Sequence, residues 1–407
     1  MLEQGEPRVT PWIQPHPLHG NQEMNLAALY LLYGLALSHC LMCFYSYYNM
    51  CHIEDLPKGA PEPRSHWPRI SIIIPACNEG DTIGVALKSV LESQYPNFEV
   101  IVINDRSTDN TGVVLAEVKA LWPHLTVIQI DSLPEGWLGK LNALRVGTEK
   151  ATGEYLLFSD ADVEYDPTAL SAAMDRVLTE ELDMLALLPY LKFTSRVQAA
   201  AIFFFGTLFF MGTRVAQVNR GVPSAYAGIG AFNLVRRSTF ERTAGWQWLK
   251  LEIADDLGLA YMINEVGGKG RVGIATHHLA LEWYPDMSSI VRGFEKNSFA
   301  AVGHFSLLRS LAISLVLFVC PLALLGLLFT PLWGVGLLMI GAIWAGWLSK
   351  GQKGIHFTVP LVSIFMGPFL AYCLMRSTWF TLRRGSVDWR GTRYGLQELK
   401  EAQRVHL

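Results

Sequence analysis

The sequence lacks the short motifs that mark several large enzyme classes. Its 407 residues contain no G-x-x-x-x-G-K-[ST] loop, no G-x-S-x-G elbow and no H-E-x-x-H pair. A P-loop ATPase and the enzymes that use the other two motifs are therefore not supported. The six cysteines are scattered without metal-type spacing, so neither a zinc site nor a disulfide framework is indicated. The formal net charge is only −3, and nothing indicates a nucleic-acid partner.

Apolar residues are abundant and are concentrated at the two ends of the chain. They make up 51% of the sequence, a high share for a soluble protein. Residues 1–25 are rich in proline and polar residues and are expected to form a mobile leader, without the pattern of a removable signal peptide. Residues 26–48 are predicted to form a transmembrane helix, because this stretch is uncharged apart from His39 and long enough to cross a bilayer. The positive-inside rule then predicts a cytoplasmic central domain, from the basic residues Lys58, Arg64 and Arg69.

Further membrane segments are predicted in the C-terminal part of the chain. Residues 310–380 contain three apolar stretches, and a basic tail follows over 381–407; the stretches are about 310–330, 332–349 and 356–376. If the third stretch crosses the membrane, the arginines of the tail lie outside, against the positive-inside rule. We therefore expect one of the segments to be re-entrant or interfacial. The sequence predicts a multi-pass protein of the cell membrane.

The central part of the chain, residues 69–295, is predicted to be an α/β domain. Apolar strands alternate with amphipathic helices, which favours a mainly parallel sheet; the predicted strands are 70–75, 98–103, 126–130 and 155–158. Within the domain, residues 197–212 are apolar but short for a membrane span. Two interpretations stay open for them, a helix in the membrane interface and a buried core helix.

Two carboxylates follow the strand at 155–158. Asp160 and Asp162 are one residue apart, so on an extended chain both side chains point to the same side. Hard carboxylate oxygens suit Mg²⁺ or Mn²⁺ that is also held by the phosphates of a substrate. The alternative is a strand-end turn with solvated aspartates. Because ligands bind at the carboxyl ends of strands in open α/β sheets, the position favours the metal site.

Polar residues also follow the two earlier strands, and another carboxylate pair lies downstream. Glu79 and Asp105 come directly after strands and should line the same edge of the sheet as Asp160 and Asp162. Asp255 and Asp256 lie at a predicted helix start, where the helix dipole favours carboxylates. A phosphate-bearing substrate such as a nucleotide-sugar would explain a metal at this edge.

Four segments of the chain, in order and spacing, resemble family 2 glycosyltransferases of the GT-A fold. This inverting class includes ceramide glucosyltransferase and polysaccharide synthases; the segments are Ser71–Glu79, Val102–Asp109, Gly136–Ala143 and Ser159–Asp162. The resemblance covers roughly residues 26–394. The apolar 197–212 segment, Gly136–Lys140 and the closing Asp388–Tyr394 most resemble membrane-bound enzymes that glycosylate hopanoids, carotenoids or similar lipids.

The resemblance implies an inverting hexosyltransferase with an α/β, GT-A domain and flanking transmembrane helices. It implies a UDP-sugar donor, Mg²⁺ or Mn²⁺ and a membrane-lipid acceptor. The implied site residues are Ala76 and Glu79 at the nucleotide pocket, Asp105 at the base, Lys140 near base and diphosphate, Asp160 at ribose and metal, Asp162 as the more direct metal ligand, and Asp256 as general base. For Asp256 a helix-capping role is the alternative, and Asp255 stands where the family usually has glutamate.

The sequence departs from the processive members of the family. These carry a Q-x-x-R-W string, whereas Arg292–Lys296 has arginine at the first place and glutamate and lysine at the last two. We therefore expect transfer of a single sugar. A processive polysaccharide synthase, a non-catalytic membrane scaffold and a pyrophosphate-releasing nucleotidyltransferase stay as alternatives. Another open choice is whether His277 or His278 joins the metal site or is an ordinary strand-end histidine.

Overall fold

The structure of the protein, a computed structural model, describes residues 25–350 and 356–405. The predicted leader over 1–25 lies outside the described residues except for Asn25. That side chain caps the first helix by accepting a hydrogen bond of 2.9 Å from the backbone N–H of Ala27.

Strands and helices alternate through the middle of the chain, and helices dominate its ends. The strands are β1 (Glu54–Asp55), β2 (Ile70–Ala76), β3 (Phe98–Asp105), β4 (Thr126–Ile130), β5 (Tyr155–Phe158), β6 (Glu164–Tyr165), β7 (Met184–Leu188), β8 (Tyr190–Leu191), β9 (Asn233–Arg236), β10 (Gly270–Ile274), β11 (Leu279–Leu281), β12 (Ser386–Trp389) and β13 (Thr392–Gly395). The helices are α1 (Leu26–Cys51), α2 (Ile83–Leu91), α3 (Thr111–Leu121), α4 (Gly139–Lys150), α5 (Ala169–Glu180), α6 (Arg196–Thr213), α7 (Val215–Asn219), α8 (Arg237–Phe240), α9 (Trp246–Leu249), α10 (Asp255–Glu265), α11 (Met287–Ala301), α12 (Leu307–Leu327), α13 (Trp333–Lys350), α14 (Thr358–Ser363), α15 (Gly367–Arg384) and α16 (Leu396–Ala402).

The central domain is built on an eight-stranded sheet of order β1-β10-β7-β9-β5-β2-β3-β4. β2 pairs in parallel with both β3 and β5, and β3 pairs in parallel with β4. The predicted α/β class with a mainly parallel sheet is thus confirmed. The sheet is mixed at one place, because β9 runs antiparallel to its neighbours β5 and β7.

Both faces of the sheet are covered, and its strands are apolar for that reason. Along β2, Ile72 and Ile74 belong to the core on one face, whereas Ile73 belongs to the core on the other. Successive side chains of a strand point to opposite faces. A strand covered on both faces therefore has a continuous apolar run, without the alternation of a half-exposed strand.

Within residues 25–350 and 356–405, three helices are long and apolar enough to cross a membrane: α1, α6 and α12. The first begins at Leu26 as predicted and continues to Cys51. The segment predicted over 197–212 is α6, which lies along α1, with the Ser46 hydroxyl donating to the Thr207 carbonyl at 3.0 Å. Like α1, α6 is long and apolar enough to cross a membrane.

The C-terminal segments differ from the prediction in one respect. The stretch predicted over 356–376 is two helices, α14 and α15, with a break between Ser363 and Gly367. Pro368 lies in the first turn of α15, where proline is tolerated because its missing N–H would have no helical partner. The basic tail contains the β12–β13 hairpin and α16.

Candidate active site

The strand-end polar residues predicted to lie together do so at one edge of the sheet. Asn78 and Glu79 follow β2, and residues 107–111 follow β3, its parallel neighbour. The Asn78 side chain accepts a hydrogen bond of 2.7 Å from the Thr108 N–H, and the Glu79 N–H donates to the Thr111 hydroxyl at 2.9 Å. Ala76 ends β2 and is buried, with 2% of the residue exposed.

Asp105 lies at the end of β3 and is held by its neighbour in the chain. The Arg106 guanidinium donates two hydrogen bonds to the Asp105 carboxylate, at 2.8 and 2.9 Å, and this bonding raises the pKa of Arg106. Gly139 passes so close that a Cβ there would lie 2.4 Å from an Asp105 carboxylate oxygen. A glycine is needed at the start of α4 for this approach.

Lys140 joins two carboxylates from distant parts of the chain. Its Nζ lies 2.9 Å from Asp160 Oδ1, after β5, and 3.0 Å from Asp255 Oδ2, at the start of α10. Burial opposes the charge of Lys140, but Asp160 and Asp255 outweigh it and hold the pKa of Lys140 above its usual value. The lysine is therefore a fixed cation between the D-x-D pair and the downstream aspartates.

Asp256 lies beside this cluster in the first turn of α10. Its carboxylate accepts hydrogen bonds from the N–H groups of Gly230, at 3.1 Å, and Leu257, at 2.8 Å. Burial, and then the charge of Asp255, raise the pKa of Asp256 to about 7, with Lys140 and the Leu257 amide acting against them. A carboxylate with such a pKa can take up a proton near neutral pH, which is what a general base must do.

Asp162 lies near Asp160 and Glu79 without a counter-charge of its own. No lysine or arginine forms an ion pair with Asp162 in the part of the chain that the structure describes. Burial and the charges of Asp160 and Glu79 raise the pKa of Asp162 to about 7. A bound cation would remove this repulsion, so the site fits a metal in its charge and its hard oxygen donors.

The protein's own residues do not form a complete metal cage. Within residues 25–350 and 356–405, no group of three or more His, Cys, Asp or Glu side chains is arranged to hold a metal ion. This fits a cation that shares its ligands with substrate phosphates, as Mg²⁺ commonly does. His278 is already engaged, since its Nε2 lies 2.7 Å from the Pro57 carbonyl and its Nδ1 lies 3.3 Å from the Thr168 hydroxyl.

Two glycines of the loop before β9 allow the backbone to lie close to the site carboxylates. The residues that they contact were not predicted from the sequence. A Cβ on Gly230 would lie 2.8 Å from Asp160 Oδ2, and one on Gly228 would lie 2.0 Å from the Asp256 carbonyl oxygen. The glycine-rich stretch was visible in the sequence as a place of close backbone approach. Its partners were not, because they come from other parts of the chain.

Replacing Gly228 with alanine is expected to displace Asp256. The new methyl group would meet backbone atoms, which cannot rotate away, so the free energy of unfolding should fall by about 1–3 kcal/mol. Catalytic rate should fall as well, because the Asp256 carboxylate moves with its backbone. Gly270→Ala is the matched control, since no atom lies within 4 Å of a Cβ built there. Equal melting temperatures and equal rates for the two variants would contradict this packing.

Comparison with known proteins finds glycosyltransferases. The glycosyl transferase family 2 profile matches residues 71–243. An uncharacterized glycosyltransferase of Escherichia coli (strain K12), YibD, is 33% identical over 28% of this chain and 32% of its own length. A 4,4'-diaponeurosporenoate glycosyltransferase of Staphylococcus aureus (strain MRSA252) is 27% identical over 81% of this chain and 89% of its own. The chain thus spans about a third of the first relative and most of the second.

A solved structure supports the fold. A mannosyltransferase from Pyrobaculum calidifontis, solved in complex with GDP-Man and Mn²⁺, superposes with a TM-score of 0.57 at 19% identity, covering 87% of this chain and 98% of that one. At this identity the likeness concerns the fold alone. The profile match assigns the central part of the chain to a family. Residues 71–243 form a glycosyl transferase family 2 domain, and its fold is that of the GT-A glycosyltransferases.

Proposed function

We propose that the protein transfers a single sugar, with inversion, from a nucleoside diphosphate sugar to a lipid acceptor in the cell membrane. The observation that carries the proposal is the cluster at one sheet edge, where Lys140 joins Asp160 to Asp255 beside Asp256 and the unpaired Asp162. This cluster combines a place for a cation, a fixed positive charge and a candidate base. These are the parts that transfer from a phosphate leaving group requires.

Asp162 is the direct metal ligand in this proposal, with Asp160 beside it at the metal and the ribose. The metal, Mg²⁺ or Mn²⁺, would neutralise the diphosphate and so make it a better leaving group. Glu79 and Asp105 lie on the nucleotide side, with Ala76 contributing its backbone. Lys140 lies in the first turn of α4, whose N-terminal N–H groups favour phosphate oxygens. A UDP-sugar is the expected donor.

Asp256 is the general base that takes the proton of the acceptor hydroxyl. Its pKa, raised to about 7 by burial and by Asp255, makes it a stronger base than an ordinary aspartate while leaving it ionised above neutral pH. The backbone N–H groups of Gly230 and Leu257 hold the carboxylate in place. If Asp256 only stabilised the N-terminus of α10, neither its burial nor its hydrogen bond with the Gly230 N–H would be needed.

The rate should depend on the protonation of Asp256. Below its pKa the carboxyl is protonated and cannot act as a base, so we expect kcat/KM to rise about tenfold per pH unit up to about pH 7. Above that pH the rate should level off, because the base is fully ionised. The measurement is kcat/KM for the donor in buffers of constant ionic strength. A rate independent of pH from about 5 to 9 would contradict the assignment.

The membrane helices support a lipid acceptor. α1, α6 and α12 are each long and apolar enough to cross a bilayer, and the S. aureus relative that aligns along most of the chain is named for the glycosylation of 4,4'-diaponeurosporenoate. The basic residues after α1 favour a cytoplasmic catalytic domain in a multi-pass protein. The departure of Arg292–Lys296 from the Q-x-x-R-W string of processive members favours transfer of one sugar.

The experiment is incubation of membranes containing the protein with a panel of radiolabelled nucleotide-sugars and Mn²⁺, followed by lipid extraction. We expect label from one donor in the lipid fraction, and none in membranes with an empty vector. Label that accumulates only as polymer would favour a processive synthase. Absence of any transfer, with every donor and with either metal, would favour a non-catalytic scaffold.

A further inference from the structure

We propose that Arg390, at the tip of the C-terminal hairpin, is a donor-binding residue whose guanidinium holds the diphosphate of the nucleotide-sugar. This inference rests on the proposed function, because it assigns one further contact to the same donor. In the sequence, Arg390 lies in the basic tail and within the segment Asp388–Tyr394, with no contact predicted for it. In the structure it lies against a residue that is 311 positions away along the chain.

The hairpin carries Arg390 into the site by a tight turn. β12 and β13 pair antiparallel from Ser386↔Gly395 to Trp389↔Thr392, which leaves Arg390 and Gly391 as a two-residue connection. Both have positive φ, 48° and 78°, the conformation of a type I′ hairpin turn. Such a turn fixes the direction of its first residue. The positive φ of Arg390 is an unfavourable backbone conformation for a residue other than glycine. Such conformations are common at functional sites.

Two contacts anchor the hairpin over the nucleotide side of the site. The Arg390 guanidinium donates a hydrogen bond to the Glu79 carboxylate. Beside it, Arg106, which holds Asp105, donates to the Thr392 hydroxyl at 3.0 Å. The hairpin therefore contacts residues after both β2 and β3, the two strand ends where the nucleotide is expected.

Glu79 links Arg390 to the carboxylates expected at the metal. Its carboxylate accepts the hydrogen bond of Arg390, and it is close enough to Asp160 and Asp162 for their charges to interact. The hairpin that carries Arg390 also contacts Arg106, which holds Asp105, the carboxylate expected at the base. These contacts bring Arg390 to the region that joins the base site to the metal site, and the diphosphate of a nucleotide joins the same two groups.

Of Lys140, Arg106 and Arg390, Arg390 is the most available to a new anion. Lys140 is shared between two carboxylates, and Arg106 is bound through two nitrogens to Asp105. The Arg390 side chain is 46% exposed, against 24% for Lys140 and 22% for Arg106. Its ion pair with Glu79 is partly solvated, and such pairs contribute little to stability. Replacing the Arg390–Glu79 ion pair with a contact between Arg390 and a phosphate therefore costs little free energy. A guanidinium group can bind a phosphate through two nitrogens.

The test compares nucleoside diphosphates with nucleosides, using the purified full-length protein in detergent. UDP and GDP with Mn²⁺, and uridine and guanosine as the matching nucleosides, are titrated calorimetrically into wild type, Arg390→Ala, Arg390→Lys and Arg393→Ala. Arg393 is the matched control, since it lies on the same hairpin and pairs there with Asp388 at 3.1 Å. Melting temperatures report whether each variant is folded.

Arg390→Ala should weaken binding of the preferred diphosphate about ten- to a hundredfold, as expected for a hydrogen bond between charged groups. Nucleoside affinity should change less than about twofold, Arg390→Lys should recover part of the loss because it keeps the charge, and Arg393→Ala should match wild type. Equal diphosphate affinity in wild type and Arg390→Ala, or an equal loss for diphosphate and nucleoside, would overturn the inference. Failure of the wild type to bind either diphosphate would instead refute the proposed function.

Discussion

Asp256→Asn is expected to lower kcat by about 10²–10⁴-fold, the usual contribution of general acid–base catalysis. The amide has nearly the shape of the carboxylate but cannot accept the proton of an acceptor hydroxyl. One of its two positions carries N–H groups, so the contacts with the Gly230 and Leu257 amides are only half retained. Affinity for the nucleoside diphosphate should stay within about threefold of wild type, since Asp256 takes no part in holding it.

Glu398→Gln is the matched control for this substitution. Glu398 also lies in the first turn of a helix, α16, and so shares the dipole interaction without belonging to the site. If Asp256 only stabilised the start of α10, both variants would lower the melting temperature slightly and both would keep their rate. Such a parallel result would remove Asp256 from the mechanism. A loss of rate confined to Asp256→Asn supports its role as the base.

Asp162→Ala is expected to abolish the metal dependence of donor binding. The carboxylate lies near Asp160 and Glu79 without an ion pair among the described residues, so we expect a metal cation to bind it. Affinity for a nucleoside diphosphate in Mn²⁺ should fall on the order of 10²-fold, since charge stabilisation by a metal contributes several kcal/mol. Titration with and without Mn²⁺ measures this directly. The two titrations should coincide for the variant and differ for wild type.

The melting temperature of Asp162→Ala distinguishes a metal site from a strand-end turn with solvated aspartates. Without metal, Asp162→Ala should melt at or above the temperature of wild type, because it removes repulsion from Asp160 and Glu79. Asp166→Ala is the control: Asp166 follows β6 nearby, and its carboxylate accepts from the Thr168 N–H at 2.9 Å. That variant should lose stability and keep metal-dependent binding. If Asp162→Ala behaved in the same way, the D-x-D pair would be no more than a strand-end turn.

The central fold could be predicted from local pattern because its strands are continuous apolar runs. The stretches over 70–75, 98–103 and 155–158 are buried on both faces of the sheet, and burial of that kind leaves a clear signal in the sequence. The common edge of Glu79, Asp105 and Asp160 followed from parallel pairing alone. The antiparallel insertion of β9 between β5 and β7 was not predicted, because it depends on tertiary packing.

What sequence reasoning missed are the contacts between segments far apart along the chain. The bridge from Lys140 to Asp255 and the approach of Gly228 to Asp256 have no local signature. The C-terminal hairpin did have a local signature. Arg390 and Gly391 form a two-residue connection between two short runs that are rich in residues favouring strands. Its partner Glu79, however, could be identified only from the fold.

The central claim is that one sugar passes from a nucleoside diphosphate to one lipid, and the product stoichiometry tests it most directly. Purified protein in lipid vesicles is incubated with its preferred nucleotide-sugar and Mn²⁺, and the released nucleotide and the glycolipid are quantified by mass spectrometry. We expect one nucleoside diphosphate per glycolipid, and a lipid mass increased by a single sugar. Products with a ladder of added sugars, or release of pyrophosphate in place of the nucleoside diphosphate, would contradict the account.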